Sequence, residues 1–248
     1  MKTGFIVQAR LGSTRLPGKI MLPFYKDECI LDMLLKKLEK FADVKLVVAT
    51  SLSVNDDRLA EYLNHKNINV YRGSEEDVLQ RFIDAAEANG IDKAIRICSD
   101  NPFMDEEGLE ELINAVSNSN ADYIGFRVNN KPTIKTHFGF WGEYVSLSVL
   151  KKVTTFTNEK IYHEHVTNYI YSHPEKFKIE WIETPSFLQN RNDIRLTIDT
   201  TDDFKTAQYI YNNLKSNKDL SIKNIIFYLD NHPNLLSFMQ KQINNNSK

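Results

Sequence analysis

The chain has 248 residues, 42% hydrophobic and 26% charged, with 31 Lys and Arg against 33 Asp and Glu for a formal charge of −2. At that length it buries roughly 70–75% of its unfolded surface and builds a core without disulfides or structural metal, while the near-even charge excludes the footprint of a nonspecific nucleic-acid or membrane-surface binder. The apolar runs fall short of the about 20 residues that span a bilayer, the opening MKTGFIVQAR lacks the apolar stretch of a secretory leader, and Cys29 and Cys98 form neither a disulfide framework nor a CxxC zinc site.

The composition is that of a cytoplasmic protein, and the pattern along the chain predicts an alternation of strands and helices. Phe5–Val7 reads as a buried strand, followed by a loop from Arg10 to Gly18. Residues 30–40 place Ile30, Met33, Leu34 and Leu38 at helical spacing with lysines opposite. Lys45–Thr50 is a second strand, and Asn55–Leu63 a helix with Asp56 and Asp57 in its first turn. Asn69–Tyr71 is a short strand, and Asp77–Asn89 a helix closed by Gly90. Ala94–Cys98 is a strand in which Cys98 packs, Asp105–Ser117 a helix and Ala121–Phe126 a strand. The pattern then loosens over 127–143 into a loop or short antiparallel excursion. Helices are expected at Leu147–Val153 and His163–Ser172, strands at Phe177–Glu183 and Leu196–Ile198, and a helix at Thr201–Leu214 with Asp202 and Asp203 in its first turn. The expectation is an α/β fold with a mostly parallel sheet in one domain, 1–242, whose halves meet near 126/127, and a frayed tail at 243–248.

The stretch QARLGSTRLPGK, residues 8–19, carries the most chemistry. It follows a strand directly, where ligand-binding loops of open α/β sheets lie. Arg10, Arg15 and Lys19 supply countercharge for a polyphosphate, and Gly12 and Gly18 let backbone N–H groups come close. Neither GxGxxG nor GxxxxGK[ST] is present. On residues alone, a solvated basic loop is an equal reading.

The string closely resembles the signature loop of the acylneuraminate cytidylyltransferase family, nearest to its spore-coat polysaccharide branch, with CMP-KDO synthetases more distant. Further blocks share the resemblance in order: RGSEEDVLQRF at 72–82, RICSDNP at 96–102, HEHVT at 163–167 and RLTIDTTDD at 195–203. The resemblance implies a nucleotide-diphospho-sugar transferase fold, a three-layer α/β/α sandwich around a mixed sheet. It implies an enzyme that transfers CMP from CTP to a small acidic sugar or a phosphorylated acceptor and releases pyrophosphate, with Mg²⁺ or Mn²⁺ as cofactor. A homodimer is compatible with it. Lys19, Arg15 and Asp100 are then the catalytic candidates. Ala9, Arg10, Leu11, Gly12, Arg15, Lys19, Arg72, Ser74 and Asp77 would line the nucleotide.

Asp100 and Asp199 each follow a strand-like segment, and two carboxylates plus phosphate oxygens suit magnesium. Read without the resemblance, a helix N-cap is the stronger reading of each, and Ser74 with Asp77 is equally a capping pair. The resemblance makes Asp100 and Asp199 metal ligands, whereas Asp202 and Asp203 are assigned to the helix dipole. His163 and His165 sit two apart and do not share a helix face, which argues against zinc. His137, His165 and Arg195 are candidates for the acceptor side, with Arg127 and Lys135 nearby. The segment KPTIKTHFGFWGEYVSL does not map onto sialic-acid substrate motifs. That leaves a pyrophosphorylase acting on a phosphorylated sugar or alcohol, and a non-catalytic partner in glycan assembly, as alternatives.

Overall fold

The computed structural model describes residues 1–215 and 220–245. Strand β1 (Thr3–Gln8) lies in the interior of the sheet. A loop and a 3-10 turn lead to a hairpin, β2 (Pro23–Tyr25) and β3 (Glu28–Cys29), and into helix α1 (Ile30–Leu38). Then follow β4 (Lys45–Ser51), α2 (Asp57–His65), β5 (Val70–Gly73), α3 (Val78–Ala88), β6 (Lys93–Cys98), α4 (Glu106–Asn118) and β7 (Tyr123–Val128). The second part contributes β8 (Lys131–Pro132), β9 (Glu143–Ser146), α5 (Leu147–Phe156), α6 (Lys160–Glu164), α7 (Asn168–Ser172) and β10 (Ile179–Glu183). Helices α8 (Thr201–Lys215), α9 (Ile222–Asp230) and α10 (Pro233–Asn245) close the described chain.

The sheet runs β10-β7-β9-β6-β1-β4-β5, with β8 hanging on β7. Pairings are parallel except where β9 lies antiparallel between β6 and β7 and where the short β8 runs antiparallel to β7. Alternation along the strands explains why both faces are covered: Phe5 and Val7 of β1 join one apolar cluster, and Ile6 joins the other. Helices α1, α4, α8 and α9 pack on the first face, α3, α5 and α7 on the second. Ile30, Leu31, Leu34 and Leu38 of α1 are almost fully buried, each stabilising by roughly 1.5–3 kcal/mol. The three-layer α/β/α arrangement with a mixed, mostly parallel sheet is as expected from the sequence. Among the described residues no helix is long and apolar enough to cross a membrane.

Four local expectations are corrected. Leu196 and Ile198 are buried, but the segment bends at Thr197 and forms no strand, because the N–H groups of Leu196 and Thr197 both converge on the His137 carbonyl instead of entering a ladder. The helix expected over 163–172 breaks into α6 and α7, since the Thr167 hydroxyl turns inward to donate to buried Glu143 at 2.8 Å. Asp56 does not belong to an exposed first turn: it ends a 3-10 turn, is buried, and accepts from Leu11 N–H at 2.7 Å and from Ser51. Residues 243–245 of the expected tail continue α10, and 246–248 lie outside the described residues.

Candidate active site

The parallel strands β1, β4, β5 and β6 end on one edge, and the loop 9–19 rises from it. Ala9 is buried and donates to the Ala49 carbonyl, while Arg10 and Gly12 are exposed. Leu11 anchors the loop: its N–H goes to Asp56, and its carbonyl accepts from Ser13 and Gly18 N–H at 2.9 and 3.0 Å. Gly18 closes the turn at φ +67, a left-handed value that disfavours other residues. The turn delivers Lys19 inward and leaves Arg15 half exposed.

Lys19 is where the two carboxylates meet. Its ammonium lies 2.5 Å from Asp100 Oδ2 and 3.9 Å from Asp199 Oδ1, and also donates to the Ile198 carbonyl. Arg15 reaches Asp199 Oδ1 at 3.1 Å. Neither aspartate caps a helix. Asp105 caps α4, and Thr200 with Asp203 forms a reciprocal cap at the start of α8. The capping alternative is therefore removed for both, and Asp203 is more than a partner of the helix dipole. It is buried and holds Arg195 through two hydrogen bonds of 2.7 and 2.8 Å. Burial alone would raise the Asp203 pKa, but the Arg195 guanidinium outweighs it and holds the carboxyl below its ordinary range.

Arg195 was expected at the acceptor. Its side chain is instead wholly buried behind the cleft, bonded to Asp203, to Asp199 Oδ2 at 2.9 Å and to His137 Nδ1 at 2.8 Å. It orients Asp199 and ties His137 to the same network.

Across from the loop lies an open cleft lined by Cys98, Asp100, Thr136, Trp141, Thr197 and Asp199 among others. Cys98 thus lines the cleft at the end of β6 and is not wholly packed away. Gly139, at φ +68, lets the backbone pass Asn101, whose Oδ1 would stand 3.0 Å from an added Cβ. The Thr197 hydroxyl is buried without a hydrogen-bond partner. Beneath the cleft, Arg96 on β6 donates to Glu143 on β9 at 2.5 Å and to Gln8 Oε1 at 3.0 Å. Glu143 also accepts from Tyr123 and Thr167. This buried pair links the last residue of β1 to the acceptor side. Sequence reasoning missed Gln8, Glu143 and Thr197. A lone acid in an otherwise apolar EYV stretch was the only signal for Glu143.

The remaining candidates are engaged in structure. Arg72 donates to the Ser51 and Ser53 carbonyls and pairs with Asp57 at 2.7 Å. The Ser74 hydroxyl accepts from Asp77 N–H, and Asp77 caps α3 and pairs with His163 at 2.8 Å. His165 is an exposed residue at the end of α6. Arg127 pairs with Glu183, and Lys135 stands over the Tyr171 ring at 4.6 Å.

A cation-bearing loop facing two carboxylates at the carboxyl edge of a three-layer α/β/α fold defines a nucleotide-handling enzyme. The family model described as "Cytidylyltransferase" matches residues 4–242, and the chain belongs to that family, which makes it a nucleotidyltransferase. It is 35% identical over 235 residues to the spore coat polysaccharide biosynthesis protein SpsF of Bacillus subtilis, covering 92% of this chain and 94% of that protein. It is also 37% identical to an uncharacterized protein of Methanocaldococcus jannaschii, covering 99% and 96% respectively. Among solved structures, a cytidylyltransferase from Leptospira borgpetersenii superposes with a TM-score of 0.82 at 32% identity, over 95% of this chain and 97% of that one. A CMP-2-keto-3-deoxy-manno-octonic acid synthetase shares the fold, with a TM-score of 0.65 at 14% identity over 86% and 99%.

Proposed function

We propose that the chain transfers CMP from CTP to a hydroxyl of a small acidic sugar or a phosphorylated alcohol, releasing pyrophosphate, in surface-glycan synthesis in the cytoplasm. The observation that carries this is the convergence of Asp100 and Asp199 on Lys19, with Arg15 at their outer side. The kinship with SpsF and with the Leptospira cytidylyltransferase supports the base and the glycan context.

The donor set suits a hard divalent ion: two carboxylates, each now satisfied by a cation, and no third His, Cys, Asp or Glu gathered with them among the described residues. Magnesium keeps waters and phosphate oxygens in its remaining positions, so two carboxylates are enough. Asp100 and Asp199 would hold Mg²⁺ or Mn²⁺, which neutralises charge on the reacting phosphate and the leaving pyrophosphate.

The chain's own groups do the rest. Lys19, Arg15 and Arg10 turn to the triphosphate as countercharge, and the Asp56 tether keeps Leu11 and the loop in place. Arg195 fixes the Asp199 carboxylate, and the Asp203 cap fixes Arg195. The acceptor enters the cleft between Trp141 and the carboxylates, where Thr197 offers an unused hydroxyl. Its oxygen attacks the α-phosphorus of CTP and pyrophosphate departs. Catalysis comes from positioning and charge stabilisation. Pyrophosphate release with CTP, Mg²⁺ and a panel of nonulosonic and octulosonic acids and phosphorylated alcohols, with product mass, tests this. No acceptor-dependent release with any CTP and acceptor pair would overturn it.

A further inference from the structure

We propose that Arg81, on α3, is the residue that selects the base: its Nε–H and Nη2–H edge donates to O2 and N3 of cytosine. This rests on the CTP reading above and deepens it. Arg81 is fully buried, and Nη1 alone is engaged, donating to the carbonyls of Ser74 and Glu75. Nε and Nη2 are buried and have no acceptor. Two orphan donors on one edge of a buried cation are costly and rare in folded proteins. Such an edge is best explained by an acceptor pair that a ligand brings.

The position fits the nucleotide side of the cleft. Gly73 ends β5, and a Cβ there would stand 2.9 Å from Arg81 Cγ, so glycine is what lets the arginine pack under the strand end. The loop 74–76 held by Arg81 lies against the loop after β1, with Glu75 Oε1 3.8 Å from the Cβ position of Gly12. Burial, and then the nearby Arg10, push the Arg81 pKa below its ordinary value, while Asp56, Glu75 and Asp77 act the other way. None of those carboxylates bonds the open edge. In this proposal the base enters where the two loops meet and takes up that edge. Arg72 and Ser74, expected to read the base, are already tied to backbone groups.

The chemistry of the edge points to one base. Two parallel N–H donors match two adjacent acceptors. On its pairing edge, cytosine presents O2 and unprotonated N3 side by side. Uracil and guanine present an N–H at the central position, and adenine pairs one acceptor with one donor. Placing an N–H against the guanidinium leaves a buried donor unmet, the kind of penalty on which strong discrimination rests.

Equilibrium binding of CTP, UTP, GTP, ATP and 3-deaza-CTP, with Mg²⁺ and no acceptor, tests this on the whole chain. The wild type is expected to bind CTP about 10- to 100-fold tighter than UTP, and 3-deaza-CTP, which lacks the N3 acceptor, weaker than CTP by a similar factor. Arg81→Met should bring CTP down to the UTP level and leave UTP affinity within about threefold. Arg81→Lys, which keeps the charge but loses the fork, should not restore the preference. Equal binding of CTP and 3-deaza-CTP to the wild type overturns the inference, and needs no variant to fold. So does an unaltered CTP preference in Arg81→Met, or an equal loss for every nucleotide. Absence of any nucleotide binding by the wild type would instead overturn the CTP reading itself.

Discussion

On one side of the two carboxylates, the charged groups sit on the single stretch 10–19: Arg10 and Arg15 are exposed, and Lys19 turns inward at its end. On the opposite side, the charges are buried and come from separated segments, Arg96 with Glu143 and Arg195 with Asp203. The first arrangement can swing its cations from carboxylates to phosphates at little cost. The second cannot move, because a buried ion pair that loses a partner strands a charge in low dielectric. A solvent-facing loop of cations thus faces a buried network that holds Asp199 in place, a division suited to the proposed binding of a polyanion beside a metal held by Asp100 and Asp199.

The largest effect that can break this contrast lies in the buried network. Arg195→Met should cost about 3–5 kcal/mol in urea unfolding, because Asp203 is left buried and unpaired. A loss under about 1 kcal/mol would mean that the network is dispensable. The Asp203 carboxyl is held below its ordinary range, so its contribution is present above the unfolded value near about 4 and is lost as pH falls through the lower folded value. The wild type should therefore lose stability in acid more steeply than Arg195→Met.

The carboxylates sharpen the comparison next. Asp100→Asn and Asp199→Asn should each lower turnover by about 10²- to 10³-fold, the range for removing one preorganised electrostatic contact. Chelator should abolish the wild-type activity, and Mg²⁺ or Mn²⁺ should restore it. Only Asp199→Asn should also destabilise, since Asp199 is tied to buried Arg195 and Asp100 is not. An unaltered metal dependence in either variant would remove that residue from the metal site.

A smaller loss is expected in the loop 10–19. Lys19→Ala and Arg15→Ala should reduce turnover about 10- to 100-fold, the worth of one charge-assisted contact. Lys19 should be the greater, standing between both carboxylates at 11% exposure against 50% for Arg15. Arg15→Ala should leave the melting temperature nearly unaltered. Full activity in both would make the loop a solvated turn.

The same contrast explains what could be read in advance. The loop 8–19, the strands around it and the placement of Asp100 after β6 were legible because local order and short-range periodicity carry them. Arg81 stood within the RGSEEDVLQRF block, but nothing in the local pattern singled it out: on a helical wheel it falls beside Ala85 at the edge of the apolar stripe, and only packing shows that it is buried. Glu143, Thr167 and Gln8 come from three segments and meet only through the insertion of β9 between β6 and β7. That insertion was hidden because the four-residue strand opens on a charge. For Arg195, the resemblance marked the residue, but only packing shows that it stands behind Asp199 and not in the pocket.

The smallest effect is a contact that crosses between α6 and α3. His163 on α6 holds Asp77, the cap of α3, through Nδ1 at 2.8 Å, and its Nε2 lies 3.1 Å from the Thr157 carbonyl. Burial alone would lower the histidine pKa, but the Thr157 carbonyl and Asp77 outweigh it and raise the value above about 6.5. With both ring nitrogens facing acceptors, the doubly protonated ring suits the site. A raised folded pKa means that the contribution is complete below the unfolded value and fades as pH climbs through the folded one. His163→Asn should therefore cost more stability at pH 6 than at pH 8.5, by roughly 0.2–1 kcal/mol, the range of solvent-screened pairs. Urea unfolding of wild type and variant at the two pH values measures the difference. An equal gap at both would mean that the histidine serves as a neutral spacer between α6 and α3.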